Sequence, residues 1–269
     1  MKIILNKHKL LKIVKNEKNL GFIPTMGSLH EGHTSLIKKS ISQCKKTVVS
    51  IFVNKPQFNK FSDFKKYPRI LNKDIAILRR LKVDFLYLPS SKQIYPGGVN
   101  HKIKIHSFSK ILCGKFRPGH FKAVVDVVDR FIKIIKPKKI FLGEKDFQQL
   151  KIIQQFLIKN NIKTKIISCK TIRENNGIAY SSRNALLSMD EKEMASKVYK
   201  LLLIGKKKLV NNKITLTDIK NSLSKIGLSK IDYISLLDVN KIIKPYKRRK
   251  EYKLFIAYYI GKTRLIDNI

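Results

Sequence analysis

Apolar positions in the N-terminal part of the chain alternate between short continuous runs and helical periodicity. Continuous β-branched and aromatic runs at 47–53, 83–88 and 139–142 have the length and composition of strands that are buried on both faces. Between these runs, apolar residues recur every three or four positions, most clearly over 70–81 and 124–135, and this spacing predicts helices. The alternation predicts an α/β fold with a doubly wound parallel sheet and right-handed connections.

The chain is predicted to begin with a short strand and a helix over 10–14, before a second strand at 21–23. Pro24 lacks a backbone N–H, so we expect it to end that strand. A glycine-rich turn and a new helix follow, with Leu36 and Ile37 among its apolar positions. A last strand of the parallel sheet is predicted at 165–169.

Beyond Asn184 the pattern changes to a lysine-rich helical stretch through Val210, followed by a second helix near 217–226. Two strand-like segments, 231–239 and 252–267, follow, and we expect them to be joined through the basic run 247–250 as a solvated turn. Helices followed by antiparallel strands predict a smaller C-terminal α+β domain. We therefore predict two domains, 1–171 and 172–269.

The stretch 21–40 carries the most specific candidate chemistry. Gly27 and Gly32 allow a close approach of the backbone, and a helix start offers free N–H groups and a positive dipole end to an anion. His30 and His33 are three residues apart, so on a first helical turn they project to the same side and can donate to phosphate oxygens. Two other interpretations stay open: metal ligands, although the His-Glu-x-x-His spacing is absent, and two surface histidines.

Three further segments place polar side chains at strand ends or in a loop. Gln57 follows the strand at 47–53, at the edge where open α/β sheets bind ligands. Gly143 to Asp146 follow another strand and open a helix, which repeats the arrangement of the histidine segment, although Glu-Lys-Asp after a glycine is also an ordinary charged helix start. The loop 180–184 carries two serine hydroxyls and Arg183, which can together bind a polyphosphate.

The chain of 269 residues has a formal net charge of +40 and a pI near 10.2. A strongly basic surface attracts polyanions, which makes nucleic-acid binding an alternative function. Lysine is, however, spread through nearly every segment, and we find neither aromatic interleaving nor a known nucleic-acid module beside it. We interpret the charge as a compositional bias and expect no specific nucleic-acid partner.

Cysteine usage and hydropathy bear on the compartment. Cys44, Cys113 and Cys169 are odd in number and too far apart for a metal motif, which favours a reduced, cytoplasmic setting without a disulfide framework. Lysines interrupt the apolar start of the chain before it reaches the length of a signal-peptide core, and no segment approaches the roughly 20 apolar residues of a membrane span. We expect a cytoplasmic protein with no membrane partner.

The segment His30-Glu31-Gly32-His33 resembles the His-x-Gly-His signature of the nucleotidylyltransferase superfamily. Nearly from end to end, the chain is similar to the pantoate-β-alanine ligase family, through the ordered motifs PTMGSLHEGH, VVSIFVN, QF, YPR, RPGHF, FLGEKDFQQL, RENNGIAYSSRN and GKTRLIDN. The resemblance implies a homodimer in which a Rossmann-like domain binds ATP and pantoate and the smaller domain closes over the active site. It also implies the reaction: ATP, pantoate and β-alanine give pantothenate, AMP and diphosphate through a pantoyl adenylate.

The resemblance also assigns roles to residues. His33 aligns with the family's proton donor and, with His30, Lys145 and Arg183, forms the implied catalytic set. Gln57 and Gln149 match the glutamines that bind pantoate, and Mg²⁺ is held mainly by the phosphates of ATP, with no protein metal site implied. The residues that align with the ATP-binding segments are Met26, Gly27, Ser28, Leu29, His30, Glu31, Gly32, His33, Gly143, Glu144, Lys145, Asp146, Ile172, Tyr180, Ser181, Ser182 and Arg183.

The chain departs from the family pattern near Gln57. Pro56 stands one place later than in the family's Asn-Pro-x-Gln-Phe, so we expect the approach of Gln57 to differ. Two alternative enzymes of the superfamily stay open: an adenylyltransferase that joins ATP to a phosphate acceptor, and a synthetase-like protein that needs tRNA.

Overall fold

The computed structural model describes residues 1–242, 246 and 248–269. The chain divides into two compact units, which are described separately. Unit 1 comprises Met1–Ser109 and Arg117–Lys170, and unit 2 comprises Lys110–Phe116 and Thr171–Ile269. The main division falls between Lys170 and Thr171, and the short segment Lys110–Phe116, which the domain prediction left in the N-terminal part, groups with unit 2.

Unit 1 contains a parallel sheet of six strands, which confirms the predicted α/β fold. Its strand order is β1-β4-β3-β2-β5-β6. The apolar runs form buried strands because both faces of the sheet are covered by helices, as in other parallel sheets. The strands are β1 (Lys2–Ile4), β2 (Leu20–Thr25), β3 (Lys46–Ile51), β4 (Phe85–Tyr87), β5 (Lys139–Gly143) and β6 (Lys165–Cys169).

The helices predicted at 10–14, after Gly32, over 70–81, over 124–135 and after Gly143 are present, whereas two short helices, at 61–66 and 91–94, were not predicted. The helices that connect the strands are α1 (Lys7–Val14), α2 (Glu31–Gln43), α3 (Phe61–Lys66), α4 (Leu71–Arg80), α5 (Ser91–Ile94), α7 (His120–Ile135) and α8 (Phe147–Lys159), with α6 (Cys113–Phe116) in unit 2. Short 3₁₀ turns lie at Lys55–Gln57, Ser107–Lys110 and Glu144–Asp146. Helix α7 is buried along most of its length, because it packs against α1 and α8 as well as the sheet side chain Phe22, which meets Phe131 at a ring distance of 5.5 Å.

Strand order defines where the sheet can bind a ligand. The chain leaves β2 toward β3 and leaves β5 toward β6, in opposite directions from two neighbouring strands. Such a reversal opens a crevice at the carboxyl ends of the two strands, where doubly wound sheets bind ligands. The crevice between β2 and β5 is therefore the expected site, and the histidine and lysine segments begin there.

The prediction that Pro24 ends its strand is wrong. Pro24 lies inside β2 and is in register with Ser50 of β3. Pairing between β2 and β5 stops at Phe22, and the carbonyl of the residue after the proline, Thr25, accepts from Phe52 on the β3 side. Because backbone groups alternate sides along a strand, the missing N–H of Pro24 falls on the side that β5 no longer pairs, where it costs no ladder hydrogen bond.

Unit 2 confirms the predicted α+β architecture but has a different strand count. Helices α9 (Met189–Val210) and α10 (Leu216–Lys225) precede an antiparallel sheet of three strands, β7 (Lys230–Asp238), β8 (Tyr252–Ile260) and β9 (Thr263–Asn268). The segment predicted as one strand over 252–267 is a hairpin, because Gly261 at φ +53 turns the chain between Ile260 and Thr263. Lys247 of the predicted basic turn lies outside the described residues.

The core of unit 2 forms between its helices and one face of its sheet. Val198 and Leu202 of α9, Leu223 of α10 and Ile256 of β8 are buried in one cluster. Both helices begin at capping boxes, Ser188 with Glu191 and Thr215 with Asp218, which fix where each helix starts. Among all the helices that the structure describes, none combines the length and the apolar content needed to cross a bilayer.

Candidate active site

The histidine pair and Lys145 lie at the carboxyl ends of neighbouring strands. His30 is the N-cap of α2, five residues after the end of β2, and His33 is in the first turn of the same helix. Lys145 follows directly on β5 in a 3₁₀ turn, and its charge acts on both imidazoles. The structure therefore brings the histidine pair of one segment together with Lys145 of another, at the crevice where the strand order reverses.

The two imidazoles are close and electrically neutral. Their ring centroids are 4.1 Å apart, and the backbone N–H of His30 donates to Nδ1 of His33 at 3.4 Å. Burial and the charge of Lys145 lower the pKa of His30 to about 4, against an opposing effect of Asp146. Burial, with smaller effects of His30 and Lys145, holds the pKa of His33 well below its ordinary value. A neutral His33 whose Nδ1 accepts a hydrogen bond carries its proton on Nε2 and can donate from there.

A buried carboxylate from α4 shapes the turn before the histidines. Asp74 accepts two backbone hydrogen bonds, from Ser28 to Oδ2 and from Leu29 to Oδ1, each at 2.8 Å. The hydroxyl of Thr25 accepts from the N–H of Gly27 at 3.1 Å and donates to the carbonyl of Ser50 at 2.8 Å. The sequence patterns did not identify Asp74, because an acidic residue in the first turn of an amphipathic helix is commonplace.

The predicted contact between the glycine turn and ATP is therefore restricted to some of the atoms of the turn. The N–H groups of Ser28 and Leu29 are engaged by Asp74, so a nucleotide can meet these two residues only through other atoms. Donors further along, at the start of α2, retain the anion-attracting character of a helix N-terminus.

The segment after β5 holds its polar groups in different environments. Lys145 is half-buried, whereas Asp146 is exposed. The carboxylate of Glu144 accepts from the hydroxyl of Ser168 at 2.6 Å, which ties the turn to the end of β6. On α8, Gln149 is half-buried, whereas its neighbour Gln148 is buried and donates to the carbonyl of Phe108 at 2.7 Å.

Gln57 contacts the glycine-turn segment through Met26. Its Nε2 donates to the sulfur of Met26 at 3.1 Å, and its Oε1 accepts from Nδ2 of Asn54 at 3.1 Å. Asn54 is itself buried, with its Oδ1 accepting from the hydroxyl of Tyr95 at 2.7 Å. Pro56 lies within the 3₁₀ turn, which still closes through a bond from the Gln57 N–H to the Asn54 carbonyl at 3.2 Å.

The motif Arg117-Pro118-Gly119-His120, to which the sequence assigned no role, holds the backbone of Gln57. The carbonyl of Gln57 accepts from Arg117 at 3.2 Å and lies 2.9 Å from Nδ1 of His120. Arg117 also lies 3.1 Å from Nε2 of His120, so the imidazole bridges the guanidinium and the carbonyl. With Nδ1 as the donor and Nε2 as the acceptor, all three contacts are satisfied by a neutral ring.

In unit 2, the predicted polyphosphate loop is a compact turn. An antiparallel bridge between Arg173 and Ala179 closes the turn that immediately precedes it, and the carbonyl of Ile172 accepts from the N–H of Tyr180 at 3.0 Å. Ser181 caps the following 3₁₀ turn by accepting from the N–H of Arg183 at 3.2 Å. One guanidinium nitrogen of Arg183 donates to the carbonyl of Arg264 at 3.1 Å, which orients this side chain within unit 2.

A largely buried ion pair links motifs from the two ends of unit 2. Arg173 binds Asp267 through two hydrogen bonds of 2.6 and 2.9 Å and also donates to the carbonyl of Gly177. Its guanidinium lies 4.3 Å above the ring of Tyr199. The segment with GKTRLIDN therefore anchors the base of the loop that carries residues 180–183.

Metal-ligating and thiol side chains are scattered through the part of the chain that the structure describes. Within that part, no group of three or more His, Cys, Asp and Glu side chains is arranged to hold a metal ion. Cys44, Cys113 and Cys169 are free thiols. Burial raises the pKa of the Cys169 thiol, so it is a poor nucleophile at neutral pH.

Comparisons with known proteins agree on one family. The family model of pantoate-β-alanine ligase matches residues 2–269. The chain is 40% identical over 278 residues to a pantothenate synthetase of Sulfurihydrogenibium sp. (strain YO3AOP1), covering 100% of this chain and 99% of the relative. It is 41% identical over 264 residues to a pantothenate synthetase of Clostridium botulinum (strain ATCC 19397 / Type A), covering 96% and 94%.

Solved structures show the same relationship. A crystal structure of pantothenate synthetase from Thermus thermophilus matches with a TM-score of 0.91 and 28% identity, covering 100% of this chain and 99% of that one. A crystal structure of pantoate-β-alanine ligase from Francisella tularensis, complexed with β-γ ATP and β-alanine, matches with a TM-score of 0.85 and 39% identity, covering 100% and 97%. Full-length matches in sequence and in fold therefore coincide, and the chain belongs to the pantoate-β-alanine ligase family of enzymes of pantothenate biosynthesis.

Proposed function

We propose that the crevice between β2 and β5 joins pantoate to β-alanine at the expense of ATP, through a pantoyl adenylate. The observation that carries this proposal is the pair of half-buried, neutral imidazoles beside Lys145 at the point where the strand order reverses. The Francisella relative was crystallised with β-γ ATP and β-alanine, which supports both as substrates here.

In the first step, a carboxylate oxygen of pantoate attacks the α-phosphorus of ATP, and the bond to the bridging oxygen of diphosphate breaks. Negative charge builds on the leaving diphosphate, so the site needs preorganised donors directed at that charge. Lys145 supplies a positive charge, and His30 and His33 supply neutral donors. Neutral donors need no proton uptake at neutral pH, which the lowered pKa values of His30 and His33 ensure.

Pantoate is proposed to bind Gln57 and Gln149. A neutral amide suits a hydroxy acid whose carboxylate must stay nucleophilic, because a cation there would stabilise the ground state of the nucleophile. Gln57 is positioned by Asn54 through its side chain and by Arg117 and His120 through its backbone. Pro56 leaves this arrangement closed, so the shifted proline is compatible with the proposed role.

In the second step, the amine of β-alanine attacks the acyl carbon of the adenylate, and AMP leaves. The amine loses a proton, and the products are pantothenate and AMP. No covalent bond to the enzyme forms in this scheme, so no protein nucleophile is required.

The residues of unit 2 that align with ATP-binding segments are included in this proposal as additional contacts to the nucleotide: Ile172, Tyr180, Ser181, Ser182 and Arg183. Hydroxyl and guanidinium groups suit phosphate oxygens, and the loop that carries them is held by Arg173 and Asp267. That the smaller domain closes over the active site stays a prediction from the family resemblance.

Two further features are proposed on the resemblance, and one on the cysteine usage. Mg²⁺ is held mainly by phosphates and water, as this ion prefers, with the exposed carboxylate of Asp146 as a candidate ligand. The enzyme is proposed to be a homodimer. A reducing, cytoplasmic compartment is proposed because three scattered, odd-numbered cysteines suit it.

Substrate omission tests this function. The purified enzyme is incubated with ATP, Mg²⁺, pantoate and β-alanine, and pantothenate, AMP and diphosphate are quantified together. We expect the three products in equal amounts and no AMP when pantoate is omitted. Release of diphosphate with a nucleotide monophosphate in place of pantoate, or a requirement for tRNA, would instead favour another enzyme of the superfamily.

A further inference from the structure

Asp74 occupies an anion site that the backbone makes just before the histidine pair. Its side chain is buried, with 1% of the residue exposed, and both carboxylate oxygens accept a backbone N–H at 2.8 Å, one from Ser28 and one from Leu29. Two consecutive residues of this turn are left-handed, Gly27 at φ +81 and Ser28 at φ +53. Consecutive N–H groups that converge in this way form the kind of concavity that binds phosphate in other proteins.

Two features of the arrangement around Asp74 lower the stability of the folded chain. Burial raises the pKa of Asp74, and the two N–H donors only partly offset that effect. A left-handed conformation at Ser28 brings its Cβ close to the following carbonyl, which disfavours that conformation for a residue other than glycine. The arrangement fixes the path of the backbone from β2 into His30, because Leu29 immediately precedes the N-cap of α2.

The backbone of the turn is also linked to His33, the imidazole that donates from Nε2. The N–H of His30, the residue after Leu29, donates to Nδ1 of His33 and thereby selects the form of His33 that carries its proton on Nε2. When the contacts between Asp74 and the turn are lost, the His30 N–H moves, and the proton of His33 is no longer fixed on Nε2. Asp74 thus influences the protonated form of His33 indirectly, through the backbone of residues 28–30.

We propose that Asp74 is a positioning residue for adenylate formation, acting through the turn Gly27–Leu29 on His30 and His33. The inference rests on the proposed function of this crevice. It assigns to α4 a part in the reaction that none of the sequence motifs of the chain indicates.

Asp84 provides a matched control in the same unit. Its carboxylate also accepts a backbone N–H, from Thr47 at 2.9 Å, and binds Lys46 at 2.8 Å, but it lies at the amino end of the sheet, away from the histidines. Asp74→Asn leaves one acceptor for two N–H groups, and Asp74→Ala leaves none. Asp84→Asn likewise leaves one acceptor for two donors, the Thr47 N–H and the Lys46 ammonium, without touching the turn.

The experiment measures pantoate-dependent exchange of labelled diphosphate into ATP, together with thermal unfolding, for wild type and the three variants. We expect kcat for exchange to fall about tenfold in Asp74→Asn and about a hundredfold in Asp74→Ala, with the KM for pantoate changed less than threefold. Asp84→Asn should keep wild-type kcat even where its midpoint of unfolding falls as far as that of Asp74→Asn. This split separates positioning from a loss of folded protein.

A second pair of variants covers the case in which Asp74→Ala fails to fold. A Cβ added to Gly27 would lie 3.0 Å from Oδ2 of Asp74. Gly98 is also left-handed, at φ +77, but a Cβ added there would have no described atom of another part of the chain within 4 Å. Both substitutions place an alanine at a similar positive φ, so Gly27→Ala should lose exchange activity and Gly98→Ala should not. A folded Asp74→Asn or Gly27→Ala enzyme with wild-type kcat would overturn the inference. Absence of pantoate-dependent exchange in the wild type would instead overturn the proposed function.

Discussion

Nδ1 of His33 accepts the backbone N–H of His30 at 3.4 Å, and this contact decides what His33 can do. Burial holds the pKa of His33 well below its ordinary value, so the ring is neutral near pH 7. A neutral ring with Nδ1 already engaged donates from Nε2. The helix N-terminus therefore prepares its own hydrogen-bond donor for the charge that develops on the leaving diphosphate.

The first prediction concerns His33. His33→Ala should lower kcat by roughly a hundredfold to a thousandfold, the usual cost of one preorganised donor, with little change in the KM for pantoate. The donor acts mainly on charge in the transition state, which is why kcat and not KM responds. Steady-state kinetics at saturating ATP measure this, and a near-normal kcat would remove His33 from catalysis.

Gln149 should behave differently, because it is proposed to bind pantoate before and during transfer. Gln149→Ala should raise the KM for pantoate, and misplacement of the nucleophile should also lower kcat. The neighbouring Gln148→Ala is the control: its amide bonds the Phe108 carbonyl, so its loss should lower the midpoint of unfolding and leave the KM for pantoate unchanged. Equal values of KM in wild type and Gln149→Ala would contradict the assignment.

The third prediction is that stability falls with acid because of the histidine pair. The pKa of His30 is lowered from 6.5 to about 4 in the folded chain, so between these values the unfolded chain binds a proton that the folded chain does not. The contribution of His30 to the free energy of unfolding is therefore complete above pH 6.5 and is lost as the pH falls, by about 2 kcal/mol at pH 5. His33, whose pKa is shifted in the same direction, adds to the loss.

Chemical unfolding of the ligand-free enzyme at pH 7 and pH 5 measures this dependence, with His30→Gln as the comparison. The variant should lose less stability than the wild type over the same interval. An equal loss in both proteins would show that His30 is not held neutral by the fold.

Unit 2 depends on the ion pair between Arg173 and Asp267, whose side chains are 19% and 9% exposed. Asp267→Ala leaves a largely buried guanidinium without its partner, which should cost about 3 kcal/mol and lower the midpoint of unfolding by roughly 6–12 °C. Glu193→Gln breaks the exposed pair with Lys197 and should produce no measurable change. Calorimetry compares the two, and equal midpoints for both variants would contradict the structural role of Arg173.

Much of the fold could be predicted from the sequence because its signals are local. Continuous apolar runs identify buried strands, and the spacing of residues such as Val124 and Phe131 identifies α7. The incorrect predictions concern features that depend on neighbouring parts of the structure. Whether Pro24 interrupts a ladder depends on which neighbour still pairs at that position, and the turn at Gly261 lies inside one apolar segment.

The site could be predicted only in part, for a similar reason. His30, His33 and Lys145 carry recognisable chemistry, and strand order then explains why they meet. Asp74 and the pair Arg117 and His120 act through backbone groups of residues that are distant in sequence. A single sequence contains no local pattern for such contacts.

Exchange of labelled diphosphate into ATP tests the central claim most directly. The adenylate forms before the amine is used, so the enzyme should catalyse exchange with pantoate present and with neither β-alanine nor RNA. β-Alanine should then drain the adenylate into pantothenate and suppress the exchange. Exchange that is absent with pantoate, but present with a nucleotide monophosphate, would contradict a pantoyl adenylate and with it the proposed chemistry of this site.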